Sequence, residues 1–214
     1  MTAQPVWVGA YRIGFALLAL SAVAFQLFRG LDRDPTFRVG NFFSFFTIES
    51  NIFAAVVLLT FGLGRVGTRP TRTAELVRGA AVVYMVTTGI VYGTLLDGGT
   101  DPLGLSSPWD DNVVHRIFPL VLLADWLISP PAVRFTFRDA MVWLVFPMAY
   151  LVYSLVRGPI VDWYPYGFLD PDRGGGYAGV AATAVGIAAG VIAMTWLVTW
   201  VGQRRRFTTP PAPG

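Results

Sequence analysis

The chain has 214 residues, of which 54% are hydrophobic and 14% are charged, and its mean hydropathy is +0.56. Soluble domains are usually about one quarter charged, so the long apolar blocks indicate an integral membrane protein. The chain has no cysteine, which excludes disulfides, thiolate catalysis and Cys-ligated metal centres, and its single histidine excludes a multi-His metal or haem site. Every basic residue is arginine and the net charge is +3. Loop charges that orient membrane helices account for this balance without a nucleic-acid partner.

Six apolar segments approach the roughly 20 residues that cross a bilayer as a helix. They are Val6–Phe28, Asn41–Leu63, Leu76–Leu96, Val113–Ser129, Ala140–Val156 and Tyr177–Val201. The first has no small-residue cleavage site and is expected to be retained as a span. The sequence therefore predicts an all-α, polytopic membrane protein, with one six-helix transmembrane bundle over residues 1–203 and a basic, disordered tail over residues 204–214. Pro119 and Pro147 are expected to kink the fourth and fifth spans.

The arginines predict the orientation of these spans. An even number of spans puts both termini on one side, which would hold nine arginines against five on the other side. The nine are Arg65, Arg69, Arg72, Arg78, Arg134, Arg138, Arg204, Arg205 and Arg206, and the five are Arg29, Arg33, Arg38, Arg157 and Arg173. Because arginine-rich loops stay in the cytoplasm, we expect a multi-pass protein of the cell membrane with both termini cytoplasmic.

The second predicted span opens with an unusually polar stretch, "NFFSFFTIESN". If it is one helix, Ser44, Thr47 and Asn51 share a face at three- and four-residue spacing. Thr47 would then lie about 9 Å below Asn41, and His115 about 4–5 Å into the fourth span. Both residues are thus expected in the outer part of the bilayer, where they could meet.

Other polar side chains in the spans need partners, because a lone charge in a membrane is costly. Glu49 is predicted on the opposite side of its helix from Thr47, with Arg116 or Arg157 as its expected partner. Arg12 and Asp125 both lie toward the cytoplasmic ends of their spans. They are plausible partners, since a buried pair costs less than two separate charges.

Thr47 and His115 are residue types that can form a nucleophile and its base. A neutral imidazole within hydrogen-bond reach can take the proton of a threonine hydroxyl, and water then hydrolyses the acyl-enzyme with the same base. Ser44 and Asn51, one turn on either side of Thr47, could donate hydrogen bonds to a developing oxyanion. An acid that orients the imidazole is optional, and the nearest in sequence are Asp110 and Asp111.

Non-catalytic interpretations fit the same residues. A threonine in a membrane helix usually bonds its own backbone or packs at a helix contact, and the whole polar set could simply hold helices together. A small-solute transporter or a lipid-binding membrane protein would instead depend mainly on Glu49, Arg116 and Asp125. From residue types alone, the hydrolase and this non-enzymatic alternative are about equally well supported.

Two further patterns lie near the C-terminal end. The loop "RGPIVDWYPYGFLDPDRGGG" carries aromatic rings that we expect at the membrane interface, namely Trp163, Tyr164, Tyr166 and Phe168. The last span contains Gly179 and the run "GIAAG", with Gly186 and Gly190 one turn apart. Small residues at this spacing allow close helix contact.

Several motifs, taken in order, resemble the androgen-induced membrane protein family and its bacterial relatives. They are "FFSFFTIESNIF", "HRIFPLVLLADWL", "WLVFPMAYLVYSLVRG" and "YPYGFLD", and together they cover roughly the six-span region. The resemblance implies a multi-pass threonine hydrolase that cleaves fatty acid esters of hydroxy fatty acids. By motif, its nucleophile falls on Thr47 and its base on His115. It implies a lipid ester taken from the bilayer as substrate, and neither a cofactor nor a metal.

Overall fold

The computed structural model describes residues 5–64, 70–96, 107–173 and 175–208, with the backbone alone at 205–208. Every regular element in these ranges is helical, and no strand occurs there. The helices are α1 (Val6–Arg33), α2 (Val39–Phe42), α3 (Phe46–Leu63), α4 (Arg72–Val91), α5 (Pro108–Asn112), α6 (Phe118–Ile128), α7 (Phe137–Ala140), α8 (Val145–Val161) and α9 (Gly176–Thr208). Helical turns of other types extend some of them, at Tyr92–Leu96, Val113–Ile117 and Met141–Leu144, and Gly167–Leu169 forms a separate turn.

Five helical segments in the described residues are long and apolar enough to cross a membrane: Val6–Arg33, Phe46–Leu63, Arg72–Leu96, Phe137–Val161 and Gly176–Arg204. The all-helical, membrane-type architecture agrees with the sequence prediction, but the count of six is not confirmed. At the predicted fourth span, a π-helical turn separates α5 from α6, and four charged side chains lie along the segment. They are Asp110, Asp111, Arg116 and Asp125.

The second predicted span is not one continuous helix from Asn41. Helix α2 ends at Phe42 and α3 begins at Phe46, so Ser44 lies in the break between them. The Ser44 hydroxyl donates to the Gly40 carbonyl at 2.5 Å, a local bond of the kind that competes with helix formation. The predicted depth of Thr47 and the helical face that Ser44 was expected to share with it both assumed one helix from Asn41, and both are therefore wrong. Thr47 is instead the second residue of α3.

Altered helical turns precede Pro119 and Pro147, the two prolines expected to kink their spans. Proline lacks an N–H and its ring clashes with the carbonyl four residues earlier, which weakens a regular helix there. The π-helical turn Val113–Ile117 lies just before Pro119, and the 3₁₀ turn Met141–Leu144 lies just before Pro147. The two prolines thus interrupt their helices, as the sequence predicts, through a local change of winding.

Helix α4 is the centre of the bundle and contacts α3, α6 and α9. Its residues from Gly79 to Met85 are all buried, as expected for a helix surrounded by others. Trp143 and Trp126 are the largest fully buried side chains described, and both approach Gly79. Indole rings on α6 and next to α8 therefore occupy the space that a side chain at Gly79 would need.

Helix α1 runs antiparallel to the segment from α5 to α6. Gln26 donates to Asp110 at 2.7 Å near one end, and Arg12 donates to Asp125 at 2.6 Å near the other. Next to the Arg12 contact, the Tyr11 hydroxyl donates to the Val121 carbonyl of α6. Gln26 and Arg12 are about 20 Å apart along the helix axis. The segment therefore follows α1 over most of the thickness of a bilayer core, which is about 30 Å.

Candidate functional site

Thr47 lies in the first turn of α3 with its side chain almost fully buried. Its Oγ1 is 3.3 Å from the Tyr166 hydroxyl, and its backbone N–H donates to the same oxygen at 3.2 Å. Phe45, the residue before α3, gives no side-chain cap to the helix. The Tyr166 hydroxyl therefore satisfies a free N–H of the α3 N-terminus while it contacts the threonine hydroxyl.

Tyr166 is the site residue that sequence reasoning missed. We expected an interfacial ring, but Tyr166 is buried, stacked on Phe168 at 5.1 Å between ring centroids and edge-on to Phe45 at 5.6 Å. Burial raises the pKa of the Tyr166 phenol, so it stays protonated at neutral pH and can donate a hydrogen bond. The density of aromatic residues in its loop was the only available signal, and it did not distinguish burial from an interfacial position.

Thr47 also lines a largely apolar pocket enclosed by α3, α4, α8, α9 and the turn at Gly167–Leu169. Its empty volume is about 820 Å³, which includes the open mouth. Aliphatic and aromatic side chains form most of the wall, among them Phe46, Leu151 and Ile187. Ligand sites of this kind combine an apolar wall with a few placed polar groups, here the hydroxyls of Thr47 and Tyr166.

His115 is held by an acid and by an aromatic ring. Its Nδ1 lies 2.9 Å from Asp111 Oδ1, and its ring stacks on Tyr92 with 4.0 Å between centroids. The Tyr92 hydroxyl donates to the other carboxylate oxygen of Asp111 at 2.7 Å. With Nδ1–H donating to the carboxylate, Nε2 carries the lone pair that a general base needs. Of the two acids that the sequence offered, Asp111 is the one that orients the imidazole.

The structure places Thr47 and His115 on adjoining helices but does not join them by a hydrogen bond within the described residues. Asn51, one turn after Thr47, links the two helices. Its amide nitrogen donates to the Thr47 carbonyl at 2.8 Å and to the Val114 carbonyl at 3.1 Å. His115 is not among the described residues that line the pocket. Direct proton transfer would need a separation of about 2.6–3.2 Å, or a bridging water.

The two expected oxyanion donors have other partners. The Ser44 hydroxyl, bonded to the Gly40 carbonyl, is also 2.8 Å from the Tyr153 hydroxyl. Asn51 gives both amide protons to the two backbone carbonyls named above, and its buried Oδ1 has no hydrogen-bond partner in the part of the chain described. Tyr166 is therefore better placed than Ser44 or Asn51 to donate to a group that reacts at Thr47.

The ion pair expected for Glu49 is not formed. Arg157 donates to Asn41 at 2.6 Å, and Arg116 to Asn112 at 2.8 Å and to Asp111 at 3.4 Å. Glu49 is half-buried on α3, and its carboxylate makes no ion pair among the described residues. The prediction of an Arg116 or Arg157 partner is wrong, because Arg157 bonds Asn41 of α2 and Arg116 bonds residues of its own helical segment.

The predicted pair of Arg12 and Asp125 is confirmed, and it belongs to a larger buried cluster. Asp125 also accepts from Arg78 at 2.9 Å, and Arg78 pairs with Glu75 at 2.9 Å. Two positive and two negative groups balance, and all four side chains are at most 2% exposed. Both guanidinium groups face the Phe61 ring. Arg78 was counted with the cytoplasmic loops, but it lies inside the bundle.

Backbone groups complete part of this cluster. Arg78 donates to the Ser129 carbonyl at 2.8 Å, and Glu75 accepts from the Ala132 N–H at 2.8 Å. One Arg12 nitrogen, Nη2, is buried without a hydrogen-bond partner among the described residues. The cluster ties α1, α4 and α6 to the loop after α6. The spacing of Glu75 and Arg78 on one helix face was the sequence signal for the added pair.

Comparisons with protein-family models, with curated proteins and with solved structures found no match. Across the ranges that the structure covers, no group of three or more His, Asp or Glu side chains is arranged to hold a metal ion.

Proposed function

We propose that the protein is a membrane-embedded hydrolase of fatty acyl esters, with Thr47 as nucleophile and His115 as general base. One observation carries the proposal: the Thr47 hydroxyl lines an apolar pocket beside a buried phenol that can donate a hydrogen bond. The pocket wall suits an acyl chain, and each buried CH₂ contributes about 0.8 kcal/mol. The motifs that resemble the androgen-induced membrane protein family support the same two residues.

The proposed chemistry has two steps. His115 Nε2 takes the Thr47 proton as Oγ1 attacks the ester carbonyl, while Tyr166 donates to the oxyanion. The imidazolium then gives the proton to the departing alkoxide, which leaves as an alcohol, while the acyl group stays on Thr47 as an ester. Water, deprotonated by the same imidazole, releases the fatty acid and restores Thr47. Asp111 fixes the imidazole tautomer and stabilises its charged form throughout.

Ester binding has a defined task in this mechanism. In the unliganded arrangement, Thr47 contacts Tyr166 and His115 contacts Asp111. Substrate must therefore bring Nε2 within about 3 Å of Oγ1, or hold one water between them. The helix contact through Asn51 keeps the two helices adjacent, so the proposed movement is one of side chains.

We also infer six spans in the cell membrane, with both termini in the cytoplasm. We count the segment Pro108–Ile128 as the additional span, because two of its charges, Asp110 and Asp125, are met by Gln26, Arg12 and Arg78 of α1 and α4. With Arg78 inside the bundle, the loop arginines number eight against five, and the predicted orientation is unchanged.

The decisive experiment measures hydrolysis of a fluorogenic fatty acyl ester by purified protein in detergent or liposomes. Thr47→Ala and His115→Ala should each abolish turnover, and Thr47→Ala should also abolish labelling by a fluorophosphonate. Thr60→Ala is the matched control, because Thr60 is on the same helix and its hydroxyl bonds its own backbone at Val56. Turnover by Thr47→Ala equal to that of Thr60→Ala would disprove the proposal.

A lipid-binding protein without catalysis is the second candidate. It is favoured by the absence of a Thr47–His115 hydrogen bond among the described residues, while the apolar pocket is already formed. This candidate predicts saturable binding of a fluorescent fatty acyl ester with no turnover. Thr47→Ala would leave that binding unchanged, whereas Leu151→Trp, which fills the pocket, would abolish it.

A further inference from the structure

A second cavity lies between α4 and α9, on the side of the Thr47 pocket away from α3. Ile90, Thr94 and Leu95 form one wall, and Gly186 and Gly190 lie on the other. The two cavities share four lining residues: Thr87, Val91, Ile187 and Val191. Since the same side chains border both spaces, the groove between α4 and α9 directly adjoins the pocket that contains Thr47.

The two glycines keep this groove open. A Cβ atom at Gly186 or Gly190 would meet no heavy atom within 4 Å, whereas one at Gly79 or Gly62 would lie within 3 Å of a neighbour. The sequence interpretation of "GIAAG" as a close helix contact is therefore not what these glycines do inside the monomer. They leave open space in the groove instead.

The chemistry of the groove fits an aliphatic chain. Among the described residues that line it there is no charged side chain. The Thr94 hydroxyl is already satisfied by the Ile90 carbonyl of its own helix at 2.8 Å, so it presents mainly its methyl group. Both walls belong to helices long and apolar enough to span a membrane, so the open side of the groove faces hydrocarbon when the helices are inserted.

We propose that the groove between α4 and α9 is a lateral channel that binds one acyl chain of a membrane lipid ester and leads it to the Thr47 pocket. The inference rests on the proposed function for the identity of the reacting group. Adjacency to the Thr47 pocket favours an acyl chain over a second copy of the protein, because a dimer contact would need no neighbouring ester site.

Photo-crosslinking tests the channel without any need for turnover. The protein carries Thr47→Ala and is reconstituted with a palmitoyl ester that has a diazirine at mid-chain. We expect crosslinks on the groove residues of α4 and α9. Gly190→Leu should remove most of them, while the matched control Gly14→Leu should not. Gly14 is also a helical glycine with no atom within 4 Å of an added Cβ, but it lies on α1.

Chain length gives a second measurement in the otherwise wild-type enzyme. Gly186→Leu should lower kcat/KM for a palmitoyl ester about tenfold, the equivalent of losing contacts with about two CH₂ groups. Hydrolysis of a butyryl ester, whose chain ends before the groove, should be unchanged. Equal losses for both esters would overturn the channel.

Because the chain has no cysteine, a reversible version controls for misfolding. Gly190→Cys treated with an alkyl methanethiosulfonate should lose crosslinking, and dithiothreitol should restore it. Crosslinking that stays unchanged when the groove is filled overturns the proposal. So does a result in which filling the groove only dissociates a dimer, as measured by light scattering, and leaves lipid crosslinking unaffected. If wild-type protein crosslinks in the groove but hydrolyses no ester, the hydrolase falls and the channel stands.

Discussion

At the scale of single residues, the contact between Tyr166 and Thr47 constrains the proposed chemistry most. The phenol is buried, protonated and hydrogen-bonded both to the hydroxyl and to the backbone N–H of Thr47. A donor held in this way does not have to reorganise when charge develops on a bound carbonyl. In the proposed hydrolase, it would therefore act on the transition state without an additional loop movement.

Replacing Tyr166 by Phe tests this role. We expect kcat to fall by about 10²-fold, as is typical for loss of one oxyanion donor, with KM little changed. The measurement is steady-state hydrolysis of a fatty acyl ester. Tyr164→Phe in the same loop is the control and should retain activity. A Tyr166→Phe enzyme with a normal kcat would assign the phenol to helix capping alone.

Replacing Asp111 by Asn tests how His115 is held. An amide at this position can favour the wrong imidazole tautomer, so we expect kcat to fall by about 10²-fold or more. Tyr92→Phe should cause a smaller loss, because it removes only the bond to the second carboxylate oxygen. Ester hydrolysis is compared only among variants that unfold at the same temperature as wild type. An Asp111→Asn protein as active as wild type would show that the acid does not position the base.

At the scale of elements, the apolar blocks predicted helices well but placed some of their ends wrongly. The Ser44 hydroxyl and the extended backbone at Phe45 break the second span where hydropathy is uninterrupted. Conversely, the helix at the fourth span begins earlier than predicted, because Ser107, Pro108 and Asp110 form a capping box with proline in the first turn. Both differences come from local hydrogen bonds that hydropathy does not register.

The packing of α4 makes a prediction about stability. A methyl group at Gly79 would overlap the Trp143 ring, so Gly79→Ala should destabilise the protein by about 1–3 kcal/mol despite the better helix propensity of alanine. Gly14→Ala, where space is open, should be neutral or stabilising by up to about 1 kcal/mol. Thermal unfolding in detergent measures both. Equal melting temperatures for the two variants would contradict the tight packing.

For the whole molecule, the buried charge cluster joins elements that are distant in sequence. The cluster connects α1, α4 and α6 through Arg12, Arg78, Asp125 and Glu75. It lies near one end of these helices, and the contact between Gln26 and Asp110 lies near the other end. Buried ion pairs contribute little net stability, but removing one partner is costly because it leaves an uncompensated charge. The cluster therefore determines which helices can adjoin without exposing a charge to lipid.

Asp125→Asn should lower the free energy of unfolding by about 3–5 kcal/mol, since it leaves both guanidinium groups without their shared carboxylate. The double variant Arg12→Met, Asp125→Leu should recover part of the lost unfolding free energy, if Arg78 keeps its ion pair with Glu75. Glu49→Gln, which breaks no ion pair in the described residues, is the control. Denaturant or thermal unfolding gives the ranking, and an Asp125→Asn protein as stable as Glu49→Gln would contradict it.

The sequence by itself determined the helical, membrane-type architecture and the pairing of Arg12 with Asp125. It also gave Asp111 as one of two acids near His115. These features follow from local apolar runs, from four-residue spacing on one helix, and from the cost of isolated charges in a bilayer. Only the tertiary structure decided that Tyr166 caps Thr47 across 119 residues, that Arg78 is buried and that the α4–α9 groove adjoins the Thr47 pocket. Each depends on which distant surfaces pack together, and no local pattern in the chain records that choice.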